Sequence, residues 1–420
     1  MDTNGQGRPA AGRERIDDID VIRGVALFGV LLMNLAFSFR VHHSAPWDGF
    51  PPRLVDRIVL RAESIALANK AMTMFSILFG LGLAIFLERA SASRGASAAA
   101  RLLARRLVVL LAFGVAHAIL IWNGDILVPY SIAGLVALPL MRCRTWVLAV
   151  VIGLGYALPP LILLWPPASD FWNATAPLPF SEAMRIYTGP SYLQIVQLRA
   201  HEVVFSWLHH YTVYLPRCLG NMLVGVLVWR SGIFREGAPE RHRRLLRWVA
   251  LGGIVLGASY PVYRVVLFDV FHAPVPTRGS AVYLFLQVVT LVPFALGYGA
   301  ILLLLLHKEG RLRRWGLHFA PLGRTAFTNY LTESIVFTSI FYGYGLGLLG
   351  KVGYAAAALM GVVFYIVQGV LSAVWLRHFR FGPFEWAWRT FTYGAAQPFR
   401  KGERGSMNIS HGAVKFRDPL

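Results

Sequence analysis

Cysteine is nearly missing from this chain. Two thiols in 420 residues, Cys143 and Cys218, make no disulfide framework and have no metal-ligand spacing. Acidic residues are also scarce, with 21 Asp and Glu against 41 Lys and Arg, and charged residues reach only 15% of the chain. A soluble globular domain carries about 25%. There is no P-loop, Rossmann fingerprint, zincin motif or nucleophile elbow, which removes the enzyme classes built on those motifs. No metal site is expected. The net charge of +20 could suit nucleic acid, but no soluble basic domain or aromatic-basic ladder accompanies it, so nucleic acid is not an expected partner.

What is present is apolar length: 56% of residues are hydrophobic. About 20 helical residues cross a bilayer, and runs of that order recur along nearly the whole chain. The expected fold is all-α, a polytopic membrane protein with about ten spans. They lie near 21–39, 66–87, 104–122, 126–141, 146–165, 203–229, 248–268, 281–306, 325–348 and 354–376. The sixth is interrupted by His209, His210, Pro216 and Arg217, and reads as an interfacial helix followed by a short span. The first run is too long for a signal-peptide core and has no small-residue cleavage site behind it, so it reads as a retained helix.

With both termini in the cytoplasm, most of the 41 basic residues fall on one side. They crowd the N-tail, the connections at 88–106, 142–145, 230–247 and 307–324, and the C-tail, as the positive-inside rule requires. The organisation that follows is an N-tail (1–20), an N-terminal five-helix half (21–165), an extracytoplasmic loop (166–202), a C-terminal half (203–400) and a disordered tail (401–420). The aromatic-basic stretch Phe381–Tyr393 reads as an amphipathic helix on the inner membrane surface. Gly80 and Gly82 allow close helix approach.

The segment His117-Ala-Ile-Leu-Ile-Trp-Asn-Gly-Asp125 places an imidazole and a carboxylate around a glycine corner between two apolar runs. Ionisable residues inside a membrane are functional candidates by default. Counted along the helix from Arg105, His117 lies roughly 18 Å in, in the outer half of the membrane. A structural account is also open: an interhelical hydrogen bond for His117 and a helix cap for Asp125. Asn34, in the outer part of the first span, can steady an oxyanion or join two helices. A second polar group, Arg324 with Thr325, Asn329 and Glu333 at i, i+4 and i+8, lines either a substrate path or a packing seam.

Asp20-Val-Ile-Arg-Gly-Val-Ala26, Asn34, Leu78–Gly82, the His117–Tyr130 stretch, Gly323–Leu331 and Phe381–Arg389 together resemble the YeiB-like family. Its C-terminal half is known as domain of unknown function 418. The resemblance covers nearly the whole chain apart from the tails and 166–202. The N-terminal Arg-Gly pattern is similar to that of the wider transmembrane acyltransferase group, which includes heparan-α-glucosaminide N-acetyltransferase. That likeness implies transfer of an acyl group from cytoplasmic acyl-CoA to an extracytoplasmic sugar or other acceptor, and a bacterial cytoplasmic membrane location. It matches Asn34 to an asparagine implicated in the heparan enzyme. His43 matches the following histidine only approximately, because the intervening loop differs in length. Glu333 departs from the glutamine expected of the family.

Two functions follow as expectations. In the first, acetyl-CoA or another acyl-CoA is co-substrate: its phosphates meet Arg23, Arg105 and Arg106, His117 acts as general base, Asp125 orients it and Asn34 stabilises the oxyanion. In the second, His117 and Glu333 serve a proton-coupled transporter of a small polar solute. A lipid-binding or scaffolding role without catalysis is a third possibility. Expected partners are membrane lipid and a small-molecule or glycan acceptor, with a homodimer left open.

Overall fold

A computed structural model of the chain describes residues 11–39, 53–67, 69–163, 180–234, 238–264, 281–307 and 310–402. Every regular element within them is helical. The expectations for His43, for most of the C-tail and for 164–179 lie outside the described residues.

The helices are α1 (Ala11–Met33), α2 (Leu54–Ala66), α3 (Lys70–Arg94), α4 (Ala96–Ala116), α5 (Leu127–Leu140), α6 (Thr145–Leu163), α7 (Phe180–Thr188) and α8 (Tyr192–Arg230). Then come α9 (Ala238–Arg264), α10 (Ala281–Leu306), α11 (Arg311–Leu317), α12 (Ala320–Arg324), α13 (Ala326–Phe341), α14 (Tyr354–His378) and α15 (Pro383–Tyr393). Helices α1 and α4 each run into a π-helical turn, Asn34–Ser38 and His117–Ile121 respectively.

Each of the ten apolar runs falls on a helix. Among the described residues, six stretches are long and apolar enough to cross a membrane, and α5 and Thr145–Leu161 form shorter apolar helices. The count of ten is thus finer than the helices by themselves establish. Their outer faces are apolar: Val363, Ile366, Val370 and Leu371 of α14 are each more than half exposed. A contiguous apolar stripe of that kind suits hydrocarbon rather than water. The chain is a multi-pass membrane protein.

Two readings need correction. The sixth run is not an interfacial helix followed by a short span: α8 is continuous over 39 residues, with Pro216 inside it. A proline costs one ladder bond, and neighbouring helices can carry such a helix through. The supposed loop at 166–202 is mostly helical where it is described, as α7 and the first turns of α8 joined by the bend at 189–191.

Helix α3 crosses α8 at very short range. A β-carbon on Gly80 would lie 2.1 Å from the Met222 carbonyl oxygen, and one on Gly225 would lie 2.0 Å from that of Ile77. Only glycine allows these backbones to touch. At the other edge Asp56 joins two helix starts, accepting the N–H of Arg53 at 3.2 Å and that of Ala355 at 2.9 Å. This fixes α2 against α14.

Helix α15 is docked on the bundle rather than merely laid along its surface. The Glu385 carboxylate accepts the backbone N–H groups of Phe327 (2.8 Å) and Thr328 (3.1 Å), the first turn of α13. The Thr328 hydroxyl donates to the same carboxylate at 2.5 Å and accepts from the N–H of Phe384 at 3.1 Å. Glu385 therefore caps α13 from another helix, where the helix dipole favours negative charge. Burial pushes this carboxyl above its ordinary pKa, while the hydrogen bonds from Thr328 and Phe327 oppose the shift. Replacing Glu385 by Ala leaves two helix-end donors without partners, so thermal or denaturant unfolding in detergent should show a loss of about 2 kcal/mol. Glu385→Gln, which keeps one accepting oxygen, should lose less; equal stability of all three proteins would refute the cap.

Candidate functional site

The corner between α4 and α5 is built by hydrogen bonds that its own sequence makes available. His117 Nδ1 lies 2.8 Å from Asp125 Oδ1, with side-chain exposures of 1% and 2%. The other oxygen, Oδ2, accepts the N–H of Val128 at 2.7 Å in the first turn of α5. Asp125 is thus both the helix cap and the partner of the histidine. Paired with a carboxylate, Nδ1 carries the ring proton and Nε2 keeps its lone pair. That Nε2 is buried and has no hydrogen-bond partner.

A π turn offsets carbonyls from the helical ladder and is frequent at functional sites. In the turn His117–Ile121 the Leu120 carbonyl accepts from Tyr192 Oη at 2.6 Å and from an Arg199 guanidinium nitrogen at 3.0 Å. Asn123 Nδ2 donates to Glu202 at 2.6 Å, and Tyr187 Oη donates to the same carboxylate oxygen at 2.8 Å. Arg199 is fully buried, with its charge over the rings of Tyr342 and Tyr187. Helices α7 and α8 therefore clamp the corner. Sequence reasoning missed Arg199 and Glu202, whose segment it had taken for a loop.

On the inner side of the corner stands Tyr330 of α13. Its ring centroid is 5.2 Å from that of His117, and its hydroxyl accepts the N–H of Ile126 at 3.2 Å. Its own hydroxyl proton goes to no described acceptor. Tyr330, Ile126, Leu127 and Tyr130 close the deep end of a cavity of about 500 Å³. The middle of the cavity is apolar, with Phe79, Leu83, Phe86 and Leu110 among its walls. Its mouth carries Arg23, Arg106, Arg324, Arg389 and Lys401, beside Asp20 and Glu385. The cavity runs from a cationic rim through an apolar bore to the tyrosine beside the His117–Asp125 pair.

The expected site residues divide accordingly. Arg23, paired with Asp20 at 2.7 Å, lines the mouth, as do Arg106 and Arg324. Arg106 lies 3.9 Å from the centre of the Trp388 ring and 5.1 Å from that of Phe86, and its buried Nη1 has no hydrogen-bond partner. Arg105 turns away and donates to the Phe391 carbonyl at 3.1 Å. Asn34 is buried in the π turn after α1 and makes no hydrogen bond to His117 or Asp125. Asn329 belongs to a seam, donating to Leu322 O, Thr325 Oγ1 and Ser372 Oγ. Glu333 is buried off the cavity, and neither of its oxygens has a hydrogen-bond partner.

The chain is 33% identical to "Uncharacterized protein YxaH" of Bacillus subtilis (strain 168), over 94% of this chain and 98% of that protein. It is 29% identical to "Uncharacterized protein YeiB" of Escherichia coli (strain K12), over 92% and 98%. The family described as "Protein of unknown function (DUF418)" matches residues 228–395. This chain belongs to the DUF418 family. The matched DUF418 region contributes α12, α13 and α15 to the cavity, with Arg324, Tyr330, Glu385 and Trp388. The His117–Asp125 corner comes from the N-terminal half, which the two relatives share by length of alignment.

Asp125→Ala removes both a helix cap and the partner of a buried imidazole, a combined loss of about 2–4 kcal/mol. Asp125→Asn keeps the capping oxygen and should recover at least half of that in the same unfolding experiment. If Asp125→Ala unfolds at the wild-type midpoint, the double role assigned to this carboxylate is wrong.

Proposed function

We propose that this protein is a membrane-bound acyltransferase that takes its acyl group from acyl-CoA. The single observation behind the reading is the cavity that leads from a cationic rim through an apolar bore to Tyr330, whose ring stands 5.2 Å from that of His117 in the buried histidine–carboxylate pair. Guanidinium groups at a rim suit the phosphates of the donor, and Arg106 has the unfilled hydrogen-bonding capacity to receive one. Along α4 the interval from Arg106 to His117 is about 16 Å, which an extended phosphopantetheine arm can bridge. The thioester would then lie at the deep end, against Tyr330.

The chemistry there is a nucleophilic displacement. An acceptor hydroxyl or amine adds to the thioester carbonyl, its proton passes to His117 Nε2, and the CoA thiolate leaves and is protonated in turn. Asp125 holds the ring in the tautomer that leaves Nε2 basic and stabilises the imidazolium once formed. The Tyr330 hydroxyl, which accepts from Ile126 and has its own proton to give, replaces Asn34 as the candidate oxyanion donor. On the outer side, the Phe39–Trp122 ring contact (4.5 Å) and the Asn123–Glu202 hydrogen bond close the corner. The acceptor, a sugar or amine on the far side of the membrane, would have to reach His117 through that closure.

The unpartnered Glu333 carboxylate favours a second reading, a proton-coupled carrier. Purified protein with labelled acetyl-CoA separates the two. Under acyl transfer, label moves to acceptor or is slowly hydrolysed, and His117→Ala lowers the rate by at least 100-fold. Arg106→Gln raises KM for acyl-CoA several-fold with little change in kcat, since a rim contact binds ground and transition states alike. Absence of CoA binding, with solute uptake in proteoliposomes that Glu333→Gln abolishes, sinks the enzyme in favour of the carrier.

A further inference from the structure

A second cation, partly buried, stands beside a different and smaller void. Arg217, near the middle of α8, is about 20 Å along the helix from the basic end at Arg230. Its side chain makes no hydrogen bond or ion pair among the described residues, and its Nε is buried without a partner. The groups that act on it electrostatically are Tyr214, Tyr156 and Cys218, all neutral at pH 7. An arginine cannot shed its charge in a protein, and a bare cation within a bilayer protein costs several kcal/mol. Something must compensate it.

Beside the guanidinium is a small void of about 20 Å³, with Asn69, Thr73, Tyr156, Tyr214 and Asn221 among its walls. Its polar chemistry is one-sided. The Tyr214 hydroxyl is buried near Ser76 and Tyr130 without a hydrogen bond of good geometry to either. Tyr156 donates to the Asn221 carbonyl oxygen, which leaves the Asn221 amide hydrogens as the free end of that side chain. The Thr73 hydroxyl proton is already given to the Asn69 carbonyl at 2.8 Å. The void therefore offers N–H and O–H donors around a positive charge and no described carboxylate. Its size fits one water or one monatomic ion, for which about 10–15 Å³ suffices, and excludes phosphate or an organic acid.

We propose that this void binds a single halide ion, chloride under ordinary conditions, held by the Arg217 guanidinium with Tyr214 Oη and Asn221 Nδ2. The ion would supply the counter-charge that the described residues around the void do not, at the point where α3, α6, α8 and α10 meet. It would stabilise the bundle independently of acyl transfer.

The test uses the full-length purified protein in detergent, with chloride titrated against gluconate at constant ionic strength. The unfolding midpoint should rise saturably with chloride, bromide should substitute, and Arg217→Gln should remove the dependence. Should Arg217→Gln fail to fold, Tyr214→Phe serves instead, and its half-saturating chloride concentration should rise several-fold. A bromide-soaked crystal should show its anomalous signal beside Arg217. The proposal is overturned by a chloride-independent wild-type midpoint, by an unchanged dependence in both variants, or by a site holding water only.

Discussion

The contact on which this architecture turns is the one between His117 and Asp125. A carboxylate buried to 2% exposure is tolerable only if both oxygens are used. Here one oxygen meets the imidazole and the other starts α5. The corner has to stay tight for both contacts to persist. That is why the carbonyl freed by the π turn is taken by Tyr192 and Arg199, and why Asn123 is held by Glu202. Helices α4, α5, α7, α8 and α13 are tied to one point by polar contacts that hydrocarbon leaves no alternative to. Lost singly, each contact strands a buried partner, so the corner behaves as a unit rather than as a sum of pairs.

From that corner the cavity reads as a gradient of solvation. Its deep end is tyrosine and backbone, its middle aromatic and aliphatic, and its rim cationic. The rim depends on α15, which the Glu385 cap fastens to α13 and the Trp388 indole fastens to the Arg106 carbonyl at 2.8 Å. Without that helix Arg106 would lose the indole over which it stands. The C-terminal half thus completes a cavity whose deep end stands beside a buried histidine–carboxylate pair of the N-terminal half.

What the sequence revealed depends on the distance between the partners. His117 and Asp125 are eight residues apart around a glycine, so their meeting could be read directly. The Glu202–Asn123 and Arg199–Leu120 contacts span 79 residues, and no local pattern foretells them. Arg105 and Arg106 were treated as a pair, although successive residues on an α-helix point about 100° apart. Only one of them could face the cavity, and it is Arg106. The i, i+4, i+8 spacing did put Thr325, Asn329 and Glu333 on one buried face. Spacing could not say what that face meets. Thr325 and Asn329 meet Ser372 of α14, in a seam rather than a path.

Three arginines have hydrogen-bonding capacity that the described protein does not fill: Arg199, which keeps the Leu120 carbonyl and two tyrosine rings, and then Arg106 and Arg217. The physical demand is the same at the last two, because a desolvated guanidinium requires an anion or a polar substitute. Their surroundings divide the answer. Arg106 is stacked on an indole at the rim of a 500 Å³ cavity, where a large, exchangeable, phosphorylated ligand can approach from the basic side. Arg217 is walled into about 20 Å³, where a ligand must be small and has little room to leave. Volume rather than charge separates the two settings, since the first cavity admits a large ligand and the second only a small one.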